Sequence, residues 1–387
     1  MKILHLATDE KFINSIYWQF NNLNNTENTF VILVDSDYLA IKYVEIHDNF
    51  KLVEKNKKGL NHCLREIESH DIVICHGLNY FQSQIVLKTS ATSKLIWFFW
   101  GGEFYDNPQL LKLKSIGEKT KKYFVKSTLK DKFKSLIRPL YYGVTNKTQT
   151  PEQSVLAAAK KIKHFGILYR EEMDYFKSLG CLSSNVSLFK MTYYPLEFIF
   201  KDIEHIKVNG TNILLGNSAS LTNNHLEAFD ILKDFNFQDR KLIVPLSYGD
   251  TNYAESIIQT GKTLFGHNLF PITDFKTLNE FNTLLSSCNV VIMNHFRQQA
   301  VGNVIAVLWM GAKVYLNESN TLFHYLKRIG VVVFSINKDL KQNSNALVGL
   351  NEAEINKNRE ILKSELSFEL LKGAMSSKLK SIIDNDN

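Results

Sequence analysis

Between an apolar run at Val290 to Met293 and a second one starting at Val301, the chain places Asn294, His295, Phe296, Arg297, Gln298 and Gln299. An apolar run that stops in polar residues and restarts at helical spacing predicts a strand, a loop and a helix start. Such a start leaves four N–H groups without intrahelical partners and carries the positive end of the helix dipole. Arg297 in front of it adds a permanent planar charge, so a diphosphate would find donors, dipole and cation together. Gly302 and Asn303 open the helix and Gly311 closes it. Lys313 to Leu316 then re-enters a strand, giving a strand-loop-helix-strand unit of nucleotide-binding type. The competing reading is an arginine that only caps a surface loop.

A second group with chemistry is Glu103. It stands behind the apolar run Lys94 to Phe99 and the pair Gly101-Gly102, which let backbone and substrate approach closely. A hydroxyl is a weak acid and a poor nucleophile unaided, and a carboxylate within hydrogen-bond reach can take its proton as general base. The bland alternative is a glutamate capping a helix after Asn107-Pro108. His76-Gly77 ends another apolar run. His76 reads as a packed loop histidine first and as a ligand contact or substitute base second.

The elements that must position these groups alternate along the chain. Lys2 to Ala7, Thr29 to Val34, Asp71 to Cys75 and Lys94 to Phe99 are strand-like, with amphipathic stretches such as Lys58 to Ser69 between them. That alternation predicts an α/β fold with a parallel sheet covered on both faces. Further strand signals at Lys161 to Leu168 and Val186 to Lys190 are interrupted by Tyr193-Tyr194-Pro195, and the stretch from Pro195 to Gly210 reads as an inter-domain linker. A second parallel domain starts at Asn212 to Leu215. It turns at Gly216-Asn217-Ser218 into a helix near Thr222, a place where a backbone nest could cradle phosphate. Then come Lys241 to Val244, a helix from Thr251, a strand near Leu264 to Leu269 and a helix from Phe275 to Ser286. The expected boundaries are an N-terminal domain over 1–200 and a C-terminal one over 205–387, with a last helix that either stays with the second domain or returns to the first.

Composition narrows the partners. The 387 residues are 44% hydrophobic and 22% charged, ordinary for a globular protein of about two domains. The formal charge of +7 admits nucleic acid, anionic lipid or a phosphorylated substrate. Its placement is uneven: over 110–140, ten Lys and Arg residues (Lys112 to Arg138) face only Glu118 and Asp131 and interleave with apolar residues at near-helical spacing. This predicts either a basic amphipathic helix on an anionic membrane surface or a solvated helix whose apolar face joins the core. Nucleic acid is disfavoured because no reader motif accompanies the charge. The longest apolar run, Leu95 to Trp100, is far short of the ~20 residues of a membrane span, and Met1 to Ala7 reads as a strand rather than a secretory leader. A cytoplasmic protein, peripheral on the inner face of the plasma membrane, is expected. Cys63, Cys75, Cys181 and Cys288 show no C-x-x-C spacing, so neither zinc nor a disulfide framework is expected. Asp35-Ser36-Asp37 resembles a metal-holding D-x-D but lacks a companion phosphate loop and reads as a turn.

Gly216-Asn217-Ser218 followed by Asn223 and His225, Val244-Pro245-Leu246-x-Tyr248, Arg297-Gln298-Gln299-x-x-Gly302 and Leu316-Asn317-x-x-Asn320 together resemble glycosyltransferase family 56. These are the TDP-N-acetylfucosamine:lipid II N-acetylfucosaminyltransferases, also described as 4-alpha-L-fucosyltransferases. Trp100 to Tyr105 resembles the family's W-G-x-D-x-Y segment, and His76-Gly77 also matches. The resemblance implies a GT-B architecture, two Rossmann-like domains facing across a cleft, with the acceptor held by the first and the nucleotide sugar by the second. It implies no cofactor and no bound metal, with Arg297, Gln298, Gln299, Gly302 and Asn303 at the diphosphate, Gly216, Asn217 and Ser218 over the phosphates or sugar, Tyr248 bordering the base, and Asn317 and His76 as further substrate contacts. Glu103 would be the acceptor-side carboxylate. Two departures stand out: Glu103 where the family has Asp, and Asn303 where Thr is common. The function expected is transfer of a deoxy or deoxyamino sugar such as N-acetylfucosamine or fucose, with dTDP as carrier, to a polyprenyl-diphosphate-linked saccharide. The alternative is a non-catalytic nucleotide-sugar or lipid-saccharide binder of the same fold.

Overall fold

Branched and aromatic runs separated by amphipathic stretches pair into two parallel sheets, since each strand is followed by a crossover that covers a face. The computed structural model of the protein describes all residues except 36–40, 108–110, 112, 126–128, 147–148, 201–203, 341–344 and 385–387. The first sheet contains β1 (Lys2–Ala7), β2 (Glu27–Val34), β3 (Phe50–Glu54), β4 (Ile72–His76), β5 (Leu95–Phe98), β6 (His164–Ile167) and β7 (Ser187–Lys190), in the order β3-β2-β1-β4-β5-β6-β7. The second contains β8 (Asn212–Leu215), β9 (Leu242–Pro245), β10 (Leu269–Ile272), β11 (Cys288–Met293), β12 (Lys313–Leu316) and β13 (Phe334–Ser335), in the order β10-β9-β8-β11-β12-β13. Both sheets are wound outward from a central strand and then reversed, so each has a switch point: between β1 and β4 in the first, between β8 and β11 in the second. Ligands of such sheets bind beyond the carboxyl ends of the strands at that point.

The chain divides into two compact units. Unit 1 is Met1–Lys112, Leu129–Phe198 and Leu366–Asn387; unit 2 is Leu113–Thr128 and Ile199–Glu365. The C-terminal helix Phe368–Asp384 belongs to unit 1 because Met375, Leu379 and Ile382 are buried in its core with Ile3, Phe20, Ile74 and Phe98. Each such side chain contributes about 1.5–3 kcal/mol when fully buried. The core of unit 2 gathers Ile213, Leu215, Val244, Val290 and Ile292 from the sheet with Phe229, Leu232, Tyr253 and Ile257 from its helices.

Several elements differ from expectation. The strand expected near Leu264 to Leu269 is shifted, because the helix Thr251–Phe265 runs through Leu264 and the strand is Leu269–Ile272. Its Pro271 is tolerated because β10 is an edge strand. Strand β3 is an added edge whose polar residues hide its period: only Val53 of Phe50–Glu54 is buried. The helix expected near Thr222 is preceded by a single 3-10 turn, Leu221–Asn223, and begins at His225. The segment 113–125, expected within the N-terminal domain, packs with unit 2. Of the Asp35-Ser36-Asp37 turn, only Asp35 is described, paired with Lys55 at 3.0 Å.

Candidate active site

At the switch point of unit 2 the loops after β8 and β11 lie side by side. Gly216 is in the left-handed region at φ +71°, and a Cβ there would come within 2.6 Å of Asn223 Oδ1 and 2.7 Å of His225 Nε2. Only glycine fits that approach. Asn223 Oδ1 accepts from Asn217 N at 2.8 Å and from His295 Nε2 at 3.0 Å, while its Nδ2 donates to Ser218 Oγ at 3.1 Å. His295 Nε2 also reaches Asn217 Oδ1 at 3.1 Å. Thr222 Oγ1 donates to Gln299 Oε1 at 2.7 Å, and Gln299 Nε2 donates to Asn217 Oδ1 at 3.4 Å. Asn217, Ser218, Thr222, Asn223, His295 and Gln299 thus form one network.

With two amide oxygens on Nε2, His295 carries its proton there and leaves Nδ1 bare. Burial, then the nearby His225 and the Arg297 charge, hold its pKa down at about 3. It is therefore neutral at physiological pH and adds no charge beside Arg297. Behind this loop the helix Val301–Met310 begins after Ala300, itself left-handed at φ 55°, and no side chain caps it. By contrast, Asp250, Thr277 and Asn320 cap their helices with side-chain oxygens. Gly302 and Asn303 lie in the first turn, half-buried, next to half-buried Arg297 and Gln298. Tyr248 is brought to the same edge because Ala219 N donates to its carbonyl at 2.6 Å and Ala219 pairs with Gly249; its ring is 81% exposed.

A ladder of asparagines fixes the loop from below. Asn224, fully buried, donates from Nδ2 to Asn294 O at 3.0 Å, and Asn294 Nδ2 donates to Asn224 O at 3.2 Å. Asn317 Nδ2 donates to Asn294 Oδ1 at 2.9 Å. Asn224 also holds the strap 113–125: its Oδ1 accepts from Gly117 N at 2.8 Å and its Nδ2 reaches Ser115 O at 3.3 Å. Thr120 N donates to Glu227 Oε1 at 2.9 Å, Lys119 pairs with Asp230 at 2.7 Å, and Phe124 packs edge-on against Tyr253 at 4.8 Å. Gly117 is where the strap comes closest, since a Cβ would lie 2.2 Å from Glu227 Oε1.

In unit 1, Glu103 sits in the short helix Gly102–Tyr105 directly after β5. Its Oε1 accepts from Trp97 Nε1 and from Trp100 N, each at 3.3 Å, and its buried Oε2 meets no donor among the described residues. Burial raises the carboxyl to about 7, against the pull of those donors. The cap it makes is a reach back to Trp100 N in its own turn; the helix start after Asn107-Pro108, the alternative partner, lies outside the described residues. His76 takes the packed reading and departs from the substrate contact that the resemblance implied: it is fully buried at the end of β4, with Nε2 2.9 Å from His5 Nδ1 and its pKa held well below the usual value by burial and by His5. It presents no surface to a substrate. Asn317 likewise is only 5% exposed and braces Asn294. Thr222 and Asn224 carried no role in the sequence reading, and 113–125 was read only as part of the basic segment 110–140; the Ser115 to Gly117 break was the available signal. Among the described residues no three His, Cys, Asp or Glu side chains converge as a metal site.

Two parallel-sheet α/β units with switch-point loops of this kind make up the GT-B architecture, on which many glycosyltransferases are built. Over their full lengths solved structures of that class have the same fold. The sucrose-phosphate synthase tll1590 from Thermosynechococcus elongatus matches with a TM-score of 0.60 at 9% identity, covering 100% of each chain. Anabaena Alr3699/HepE in complex with UDP and glucose matches with a TM-score of 0.60 at 10% identity, over 98% of this chain and 100% of that one. The trehalose 6-phosphate synthase from Burkholderia multivorans matches with a TM-score of 0.57 at 11% identity, over 100% of both. The sequence pattern of the family described as 4-alpha-L-fucosyltransferase, glycosyl transferase group 56, matches residues 156–362, so the chain belongs to that family and is a hexosyltransferase.

Proposed function

We propose that the protein transfers a deoxy or deoxyamino hexose of the fucose or N-acetylfucosamine type from a nucleoside-diphosphate carrier to a polyprenyl-diphosphate-linked saccharide, in surface polysaccharide assembly. The observation that carries the donor half is Arg297, in a loop braced at Asn294, His295 and Gln299, in front of an uncapped helix start at a switch point. As the bond to the anomeric carbon breaks, charge develops on the leaving diphosphate, and fixed donors aimed at it stabilise the transition state without reorganising. Gly216 to Ser218 border the phosphates or the sugar, and exposed Tyr248 borders the base. A structural relative solved with UDP and glucose supports a nucleotide sugar as donor; the resemblance to the TDP-N-acetylfucosamine transferases favours dTDP. Glu103 is the acceptor-side base of an inverting reaction, its carboxyl held near neutrality so that it can accept a proton at physiological pH.

The acceptor is lipid-linked, and the enzyme docks on the inner face of the plasma membrane without crossing it. Among the described residues no helix is long and apolar enough to span a bilayer. Supporting a peripheral contact, the helix Leu129–Tyr141 exposes Phe133, Leu136 and Leu140 (64%, 75% and 69%) together with Lys134. Thermal unfolding with dTDP, UDP and GDP tests the donor half: a diphosphate at 100 times its Kd stabilises by about 2.7 kcal/mol. No shift with any of the three would overturn the reading.

A further inference from the structure

A nucleoside diphosphate near neutral pH carries about three negative charges, because its terminal phosphate gives up a second proton at about pH 6. In the loops that follow β8, β9, β11 and β12, over 216–224, 246–250, 294–300 and 317–320, the sequence places one Lys or Arg, Arg297, against Asp250 and Glu318. Both carboxylates are engaged elsewhere: Asp250 caps the helix Thr251–Phe265, and Glu318 pairs with Lys338 at 2.8 Å. One guanidinium and the partial charge of a helix start offset roughly half of the diphosphate charge. A further protein cation would have to come from outside these loops.

The strap 113–125 brings one. Ser115 O accepts from Asn224 Nδ2 at 3.3 Å and Gly117 N donates to Asn224 Oδ1 at 2.8 Å. The chain just after Lys114 is therefore pinned against the residue that also holds Asn294, where the Arg297 loop begins. From there Lys114 reaches the loop itself. Its Nζ stands 6.0 Å from the ring centroid of half-buried Phe296, the neighbour of Arg297, a range at which an ammonium is attracted to an aromatic face. Its other contact is Glu118 Oε1, four residues on, at 3.6 Å, with the two side chains 65% and 77% exposed. An exposed pair of that kind is weak and readily exchanged. Backbone ties that do not use its charge thus hold Lys114 beside the loop, and the charge itself stays accessible to a ligand.

We propose that Lys114 is a second cation for the donor diphosphate: when a nucleotide sugar binds, its ammonium leaves Glu118 and shares the phosphate charge with Arg297. The proposal rests on the donor reading above and adds a residue outside 156–362, the stretch that the family pattern matches. Glu118 then competes with the phosphates, so the two charges at this point have opposite effects on binding.

The test uses the full chain. The tightest binder among dTDP, UDP and GDP is titrated calorimetrically into the wild type, Lys114→Gln, Lys114→Arg, Glu118→Gln and Arg297→Ala, and its parent nucleoside is compared by saturation-transfer NMR. Lys114→Gln should weaken the diphosphate about five- to tenfold and leave the nucleoside signal unchanged. Lys114→Arg should keep most of the affinity and Glu118→Gln should raise it, with melting temperatures at the wild-type value because both side chains are exposed. Diphosphate affinity that is unchanged in Lys114→Gln but reduced in Arg297→Ala overturns the role of Lys114 and leaves the donor reading standing. A loss in Lys114→Gln that is as large for the nucleoside also overturns it, since that is the sign of a displaced strap. A wild type that binds none of the three diphosphates overturns the donor reading and this inference together.

Discussion

Asn224 and Asn294 hold each other in both directions, each side chain donating to the other's backbone carbonyl, at 3.0 and 3.2 Å. Asn294 is the residue where β11 gives way to the Arg297 loop, and Asn224 is also where the strap from 113–125 is tied in. The start of the Arg297 loop is thus held by a segment far away in sequence.

Asn224→Ala should cost roughly 1–3 kcal/mol, because it leaves Gly117 N and Asn294 O buried with lost partners. Thr120→Val, which removes only the outer tie to Glu227, should cost less. Urea unfolding measures both. Nucleotide affinity should follow the same order, so a destabilised Asn224→Ala with wild-type affinity would separate the ladder from the site.

Gly216→Ala should be destabilising by about 1–3 kcal/mol for its left-handed backbone alone, and more for the approach to Asn223 and His225. Gly143→Ala, with open space around its Cα and no left-handed φ, is the control and should be near neutral. Comparable denaturation midpoints for the two variants would contradict the packing described at Gly216.

For Glu103 the sign of the pH effect is fixed by its raised pKa. Its folded-state carboxyl titrates at about 7 against an ordinary 4.5, so the folded state binds the proton more tightly than the unfolded one. That contribution to stability is fully present below about 4.5 and is lost as pH rises through about 7, a swing of up to about 3 kcal/mol. Glu103→Gln cannot ionise, so it should gain stability relative to wild type above pH 7 while losing turnover about 10²- to 10⁴-fold. Wild-type turnover should rise with pH through about 7. A Gln variant with near-normal turnover would remove Glu103 as the base.

The lysine-rich segment divides into parts with different partners. Lys119 is tied to Asp230 and Lys114 to Glu118, whereas the helix Leu129–Tyr141 exposes its apolar residues. Replacing Phe133, Leu136 and Leu140 by Ser should abolish sedimentation with anionic vesicles, and Lys119→Ser should leave it unchanged. Binding should fade as salt rises, each nearby cation contributing about 1 kcal/mol. Equal sedimentation of both variants would contradict a membrane contact through this helix.

The strands and the Arg297 loop were legible because their signals are local: apolar period, a glycine at each helix end, a polar break. Strand β3 was not, since an edge strand with one buried residue has no period to read. Nor was the strap, because its placement depends on long-range pairing with Asn224, Glu227 and Asp230 rather than on its own pattern. His76 and Asn317 look in sequence like site residues for the same reason that they are buried polar groups: both lie at strand ends next to loops, one pairing with His5, the other with Asn294.

The donor half is tested most directly by calorimetric titration of dTDP and UDP into the wild type and Arg297→Ala. Losing one charge-assisted contact to the diphosphate should weaken binding by roughly 1.5–3 kcal/mol, about 10- to 150-fold, at an unchanged melting temperature. Identical affinities in the two proteins would contradict the assignment of Arg297 to the donor diphosphate.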